Sequence, residues 1–270
     1  MNIDRLAAIL RDAAKAEILP RFRQLEAGSV ETKSHAFDLV TQADQQAEIA
    51  ITKAINEASP HMVVIGEEAV AANPALLSQS LGDETVIFID PVDGTWNFAA
   101  GLPLFAVMAS VVQRGETVAG VIYDPLGDDF LMTEKGCGAW HVFADGHRVR
   151  QKFAEPAPLD AMGGVASASY LPDETRREVM GNLAKVQMFA SYRCAGHEYR
   201  LGAGGNLHFM MYNKLMPWDH LAGALMMEEA GAHVARFDGS KYEPHHRDGG
   251  LLIAPDAESW QIVRREVFTV

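Results

Sequence analysis

The sequence predicts a mixed fold, α+β in its first half and α/β in its second, and two patterns carry that expectation. Between residues 105 and 149 short apolar runs follow one another across glycine-containing turns, which suits an antiparallel meander. Beyond residue 158 strand-like and helix-like segments alternate, as in an α/β unit. The composition agrees: 48% hydrophobic and 22% charged residues describe a globular chain, and 270 residues allow one large domain or two smaller ones. A connector, Glu155-Pro156-Ala157-Pro158, separates the two patterns. The boundary is expected near residue 150, giving halves 1–150 and 151–270.

Taken in order, residues 3–19 set Ile3, Leu6, Ala7, Leu10, Ala14 and Ile18 at helical spacing, and Pro20 ends the run. A second helix is expected at about 41–58, with Ala47, Ala50, Ile51, Ala54 and Ile55 inward. Thr41 suits its N-cap, and Asp44, at the third helical position, suits capping and the helix dipole. Residues 61–65 read as a short strand that ends at Gly66-Glu67-Glu68, where two adjacent glutamates suit a solvated loop. Residues 69–84 read as a surface connection with a short helix. Strands follow at 105–112, 117–123, 130–134 and 139–143, the last pairing with Val149 across Asp145-Gly146.

In the second half strands are expected at 163–169, 187–193, 206–212 and 249–254, and helices at 173–185, 196–203, 218–230 and 257–267. In the helix opened by Trp218-Asp219, Leu221, Ala222, Leu225, Met226 and Ala230 share one face. Asp219 falls in the first turn, where an acid compensates the helix dipole. The same fixed carboxylate can also be aimed into a cleft. The methionine pairs at 210–211 and 226–227 suit core filling. His245-His246, whose adjacent side chains diverge, suits an exposed loop rather than a metal site.

Several function classes fall away. The net charge of −13, from 23 basic and 36 acidic residues, argues against a nucleic-acid polymer as partner. Cys137 and Cys194 are the only cysteines, too few for a disulfide framework, so a reducing cytoplasm is the expected location. No apolar run approaches the ~18 residues of a membrane span. The N-terminus, MNIDRLAAILRDAA, carries acids and no signal-peptide core.

One stretch concentrates the chemistry. Residues 85–89 form an apolar run without alternation, as in a strand buried on both faces. Asp90 and Asp93 follow, separated by Pro91 and Val92. Pro91 fixes its own φ and pushes Asp90 towards extended backbone, so the strand is expected to end there. Gly94 allows a sharp turn or a close approach to a ligand, and Thr95 offers a hydroxyl and a helix start. Two carboxylates at the end of a buried strand need a cation or hydrogen bonds. The N–H groups of Gly94 and Thr95 would hold an anion at a helix start. An Asp-Pro turn followed by an Asp-Gly turn is the plainer alternative.

Asp90-Pro91-Val92-Asp93-Gly94-Thr95 with Asn97-Phe98 resembles the signature of the inositol monophosphatase family, D-P-[IV]-D-G-T-x-N-F. Three further pieces lie in the family's order: the run KSHAFDLVTQAD from Lys33 to Asp44, Ile65-Gly66-Glu67-Glu68, and Trp218-Asp219-His220-Leu221-Ala222-Gly223 with Glu229-Ala230-Gly231. The likeness spans essentially the whole chain. It implies a layered αβαβα sandwich with the active site between the halves, commonly a homodimer, and sensitivity to lithium. It implies hydrolysis of a small phosphate monoester of the inositol, sugar or polyol class. Glu67, Asp90, Asp93, Asp219 and the Val92 carbonyl would hold two or three Mg2+ ions, an all-oxygen set that suits Mg2+ over zinc. A metal-activated water would attack phosphorus directly, in line with the ester oxygen. Glu67 and Thr95 would orient that water, with Asp44 supporting Thr95. Gly94 and Thr95 would hold phosphate oxygens. Asp93, Asp219, Gly196 and the position of Tyr212 would border the substrate. Lys33 would pair with a carboxylate or bind an extra anion, unless it is simply a surface lysine.

The leaving-group side departs from the family. Its small G-[ST]-A-A segment corresponds here to Gly196-His197-Glu198-Tyr199, and the glutamate expected about six residues before the Trp-Asp pair is Tyr212. The phosphate end is therefore expected to be intact and the preference to lie away from myo-inositol 1-phosphate. Other sugar or polyol phosphates, histidinol phosphate and phosphoadenosine-type nucleotides stay open, with Glu198 a partner for an amine-bearing leaving group. The alternative from another class is a catalytically idle, metal-binding regulatory protein, against which the complete carboxylate set speaks.

Overall fold

Apolar side chains on both faces of a strand require cover on both sides, and the fold supplies it by layering. The computed structural model describes residues 1–25, 30–33, 39–78 and 84–269. Residues 34–38 of the 33–44 run and residues 79–83 of the expected surface connection lie outside them. The chain opens with α1 (Ile3–Ala13), continued by a π turn (Ala14–Ile18) and a 3-10 turn (Leu19–Arg21). A hairpin, β1 (Val30–Thr32) and β2 (Leu39–Thr41), leads into α2 (Gln42–Ala58), β3 (Val63–Gly66) and α3 (Glu67–Ala72). Then come β4 (Thr85–Asp93), α4 (Thr95–Ala99), β5 (Ala106–Gln113), β6 (Glu116–Asp124), β7 (Asp129–Glu134), β8 (Ala139–Val142) and β9 (Arg148–Arg150). The second half holds β10 (Gly163–Ala166), α5 (Asp173–Asn182), β11 (Met188–Ala190), α6 (Ala195–Ala203), β12 (Phe209–Tyr212) and α7 (Pro217–Glu229). It closes with β13 (His233–Arg236), β14 (Leu251–Ala254) and α8 (Ala257–Glu266).

Strands β3 to β9 form one sheet in sequence order, antiparallel except for the parallel pair β3–β4. The second sheet has the order β11-β10-β12-β14-β13. Alternation along β4 divides the core. Ile87 and Ile89 pack with Leu6, Leu10, Ala47 and Ile51 of α1 and α2, whereas Val86 and Phe88 pack with Tyr199, Ala222 and Met226 of α6 and α7. Strand β12 divides the other sheet in the same way. Met210 joins α6 and α7, and Met211 joins Val179 of α5 and Trp260 of α8. The layers are therefore α1/α2, the seven-stranded sheet, α6/α7, the five-stranded sheet and α5/α8. Helix α7 is apolar nearly all round because it lies between two sheets. Its approach to β6 depends on Gly120, where a Cβ would come within 2.9 Å of the Ala222 Cα. No helix among the described residues is long and apolar enough to cross a membrane.

The structure changes four expectations. Strand β4 does not stop at Asp90 but runs on to Asp93. Pro91 lacks a ladder N–H, and the strand absorbs this by a shift of register, Asp90 standing opposite Met108 and Asp93 opposite Ala106. Glu67 and Glu68 begin a helix rather than a loop. Strand β13 forms where none was expected, ordered by its antiparallel partner β14. The strands expected at 163–169, 187–193 and 206–212 keep only 163–166, 188–190 and 209–212, where neighbouring strands pair with them.

Candidate active site

Parallel pairing sets the site's first two carboxylates side by side. Gly66 of β3 stands opposite Ile89 of β4, so the next residues, Glu67 and Asp90, emerge together from the sheet. Helix α7 brings Asp219 in its first turn, with Pro217 pre-set for the helix start. Oxygens of Glu67, Asp90 and Asp219 all lie within 4.8 Å of one another. Burial, and then the charges of Glu67, Asp93 and Asp219, push the Asp90 carboxyl well above the usual carboxylate range. Burial and the charges of Glu67 and Asp93 do the same to Asp219. Mutually repelling, poorly solvated carboxylates at this spacing fit a hard divalent cation, and the donor set contains only oxygen. The Val92 carbonyl borders the same cleft. Lys33 meets this cluster at its edge, its Nζ 2.8 Å from Glu67 and 2.6 Å from Glu68. Burial opposes the Lys33 charge, but the two glutamates outweigh it and raise its pKa.

Asp93 points differently. Its carboxylate accepts the N–H groups of Gly196 at 2.5 Å and Ala195 at 3.2 Å, and the Cys194 thiol at 3.1 Å, at the start of α6. Burial lifts Asp93 to about 6 against the pull of those donors. Gly196 is required there, since a Cβ would come 2.8 Å from the Ala106 methyl and 3.0 Å from Asp93. Gly94 has φ +88° and caps the short helix α4. Thr95 Oγ1 lies 2.9 Å from Asp44 and 3.0 Å from the Val92 carbonyl oxygen. Asp44 closes a capping box with Thr41, accepting its N–H at 2.9 Å and its hydroxyl at 2.5 Å. Burial raises Asp44 to about 6. Asp44 thus caps α2 and contacts Thr95 with the same side chain.

Sequence reasoning missed Glu48. One turn beyond Asp44 on α2, it accepts the N–H groups of Glu68 and Ala69, each at 2.8 Å, and so fixes the start of α3 that carries Glu67. A Cβ on Gly66 would run into the Glu48 carboxyl. The available signal was an acid at helical spacing beside the inward positions Ala47 and Ile51.

The cleft has a volume of 650 Å³, and its far end is built from the second half. Tyr212 is buried there with its hydroxyl near Glu198 but in no hydrogen bond of good geometry. Glu198 accepts the Tyr192 N–H at 2.8 Å, and burial pushes it up to about 7. Arg176, Arg193 and Lys214 also line the cleft, Lys214 near enough to act on the Asp219 charge, and nothing local in the sequence marked them as neighbours. Glu243, His245 and His246 cluster away from this cleft. There His246 Nδ1 accepts the Glu243 N–H at 3.0 Å, which leaves the ring proton on Nε2.

A model of the inositol monophosphatase family matches residues 2–265. A Thermotoga maritima protein named fructose-1,6-bisphosphatase/inositol-1-monophosphatase is 30% identical over 213 residues, 79% of this chain and 77% of its own length. A Vibrio cholerae protein named Nus factor SuhB is 30% identical over 216 residues, 77% of this chain and 75% of its own length. The crystal structure of the extragenic suppressor protein suhB from Bartonella henselae superposes with a TM-score of 0.82 at 25% identity, covering 98% of this chain and 97% of that one.

Proposed function

The chain belongs to the inositol monophosphatase family, and from that premise we propose that it is a Mg2+-dependent phosphatase acting on a small phosphate monoester. The observation that carries this reading is the group of Glu67, Asp90 and Asp219 oxygens within 4.8 Å of one another at the end of a cleft. Mg2+ held there would polarise the phosphoryl group and make water more acidic. The protein's own groups do the rest. Glu67, Asp90, Asp219 and the Val92 carbonyl would hold the ions, together with Asp93. The Gly94 and Thr95 N–H groups, at the start of α4, would hold the phosphate oxygens. Thr95 Oγ1, fixed between Asp44 and the Val92 carbonyl, orients the attacking water together with Glu67. Lys33 offsets charge on Glu67 and Glu68. In this reading the half 1–150 supplies all of these groups but Asp219, which the half 151–270 adds. A homodimer in a reducing cytoplasm accompanies the proposal.

Gly196-His197-Glu198-Tyr199 and Tyr212 support a leaving group other than inositol. The Vibrio relative's name, a Nus factor, favours a regulatory protein as the second reading, which for this chain would be metal-binding and without turnover. Phosphate release from a panel of monoesters, with and without Mg2+ and with Li+ added, separates the two. Mg2+-dependent turnover of one compound, inhibited by millimolar Li+, supports the phosphatase. Mg2+ binding without any turnover supports the regulator.

A further inference from the structure

The loop between β13 and β14 gathers a second group of metal-ligating side chains among the described residues. Glu243, His245 and His246 each bring a donor atom within 4.8 Å of the others. Adjacent side chains ordinarily diverge, and a turn is what brings these together. The His246 N–H donates to the Glu243 carbonyl at 3.0 Å, which closes a four-residue turn with Pro244 at its second position, where the proline ring pre-sets φ. The turn is braced from below. Pro244 and Tyr242 are buried, and the Tyr242 ring lies 6.3 Å from that of His246 at an angle of 27°. Arg247 Nη1 donates to the carbonyls of Pro244 at 2.5 Å and His246 at 3.0 Å. The Leu215 N–H donates to the Arg247 carbonyl at 3.0 Å and so ties the loop to the segment before α7. Within this frame the two imidazole rings stand 4.1 Å apart, tilted by 43°, and His245 Nδ1 lies 3.6 Å from Glu243 Oε2. Glu243 and His245 are exposed, so an ion can reach them from solvent. The cations nearby are engaged elsewhere: Arg247 with those carbonyls, Arg236 with Asp238, and Lys241 with Glu116.

We infer that this turn binds a borderline divalent cation of the Zn2+, Ni2+ and Cu2+ class through Glu243, His245 and His246. Two imidazoles and one carboxylate are a donor set that such ions prefer, whereas Mg2+ takes oxygen ligands in a strict octahedron. The spacing fits as well. Around a tetrahedral ion with bonds of about 2.1 Å, neighbouring donors stand about 3.4 Å apart, and His245 and Glu243 already stand at 3.6 Å. His246 takes part through Nδ1, which exchanges the Glu243 N–H for the ion. That N–H belongs to an exposed residue and passes to water. Three protein ligands leave a fourth position to water. The inference goes beyond the phosphatase reading and stands whichever reaction the cleft performs, since the group shares no residue with Glu67, Asp90 and Asp219.

The test is calorimetric titration of the full chain with Zn2+ in a buffer holding saturating Mg2+. Wild type, His245→Ala, His246→Ala, Glu243→Gln and Asp90→Asn are compared, with thermal melts to confirm folding. Asp90→Asn alters the carboxylate end of the cleft, so a Zn2+ event that it leaves unchanged belongs elsewhere. Wild type and Asp90→Asn are expected to share one such event. His245→Ala and His246→Ala each weaken it by about tenfold or more, since a ligand contributes at least as much as an outer-shell partner, whose loss costs about 10–100-fold. Glu243→Gln weakens it as well. Electron paramagnetic resonance of the Cu2+-loaded protein gives a second readout: nitrogen splitting from two imidazoles in wild type and from one in each histidine variant. His245 is exposed, so if His246→Ala fails to fold, His245→Ala carries the test. No Zn2+ event in wild type, an event abolished by Asp90→Asn, or one that survives both histidine substitutions overturns the site. Displacement of the Zn2+ by Mg2+ also overturns it, because the donor set would then not select for imidazole-preferring ions.

Discussion

The two ends of the cleft are built on different principles. At the inner end each carboxylate is fixed by backbone or by a buried neighbour: Asp93 by the first N–H groups of α6, Glu67 through the helix that Glu48 caps, Asp44 by Thr41. At the outer end the cations sit on long, exposed side chains carried by α5 and by two loops, beside the buried Glu198 of α6. Moving an inner group means disturbing a helix start or a strand, whereas the exposed cations of the outer end can be exchanged without touching the core. Under the proposed function, reaction chemistry would be tied to the layers of the fold and selectivity to their connections.

Four experiments bear on this contrast. Asp90→Asn, at the centre of the inner end, should lower Mg2+-dependent phosphate release on the order of a thousandfold, since several kcal/mol of metal-borne stabilisation are lost. In EDTA the same variant should melt higher than wild type, because a buried charge repelled by its neighbours is gone. Retained activity would mean that the inner end is not the metal site.

The next effect lies at the outer end and depends on pH. Glu198 is raised by burial to about 7, above its usual value of 4.5. Its protonated form favours the folded state, a contribution fully present below about 4.5 and lost as pH rises through about 7. Relative to Glu198→Gln, wild type should therefore lose about 3 kcal/mol between pH 4.5 and 8. Urea midpoints of both proteins in EDTA measure this, and a constant difference would show that the carboxylate titrates normally. Glu48→Ala returns to the inner end. Loss of its two acceptors should cost about 1–2 kcal/mol of stability and weaken the Mg2+ dependence of activity by about 10–100-fold. A Mg2+ titration that matches wild type would separate Glu67 from its helix cap. The smallest effect belongs to Tyr212→Phe. Its hydroxyl has no well-formed hydrogen bond, so stability should change by less than about 1 kcal/mol. Substrate ranking should shift while the Mg2+ requirement holds, and the reverse result would erase the division between the ends.

The contrast also governs what could be read from sequence. The strand end, Gly94 and Thr95 are contiguous, and their chemistry follows from a few adjacent residues. The long helices α2 and α7 are legible from apolar spacing, and the Met210-Met211 pair is buried as expected, although it serves two different cores. Glu48 was concealed because its partners, Glu68 and Ala69, belong to the next helix. Pro91 misled because a strand can accept a missing N–H by slipping register. Arg176, Arg193 and Lys214 meet only through the tertiary fold, so no local pattern announces them. Strand β13 likewise exists through pairing rather than through its own four residues.

Helix α7 carries Asp219 into the inner end from between the two sheets. A polypeptide emerging from the ribosome presents Glu67 and Asp90 long before that helix has been made. Until then the seven-stranded sheet would lack the helix that covers one of its faces, and the acidic cluster would lack its third member. Under the proposed function, a metal site that needs all three acids would be complete only once α7 has been made and docked.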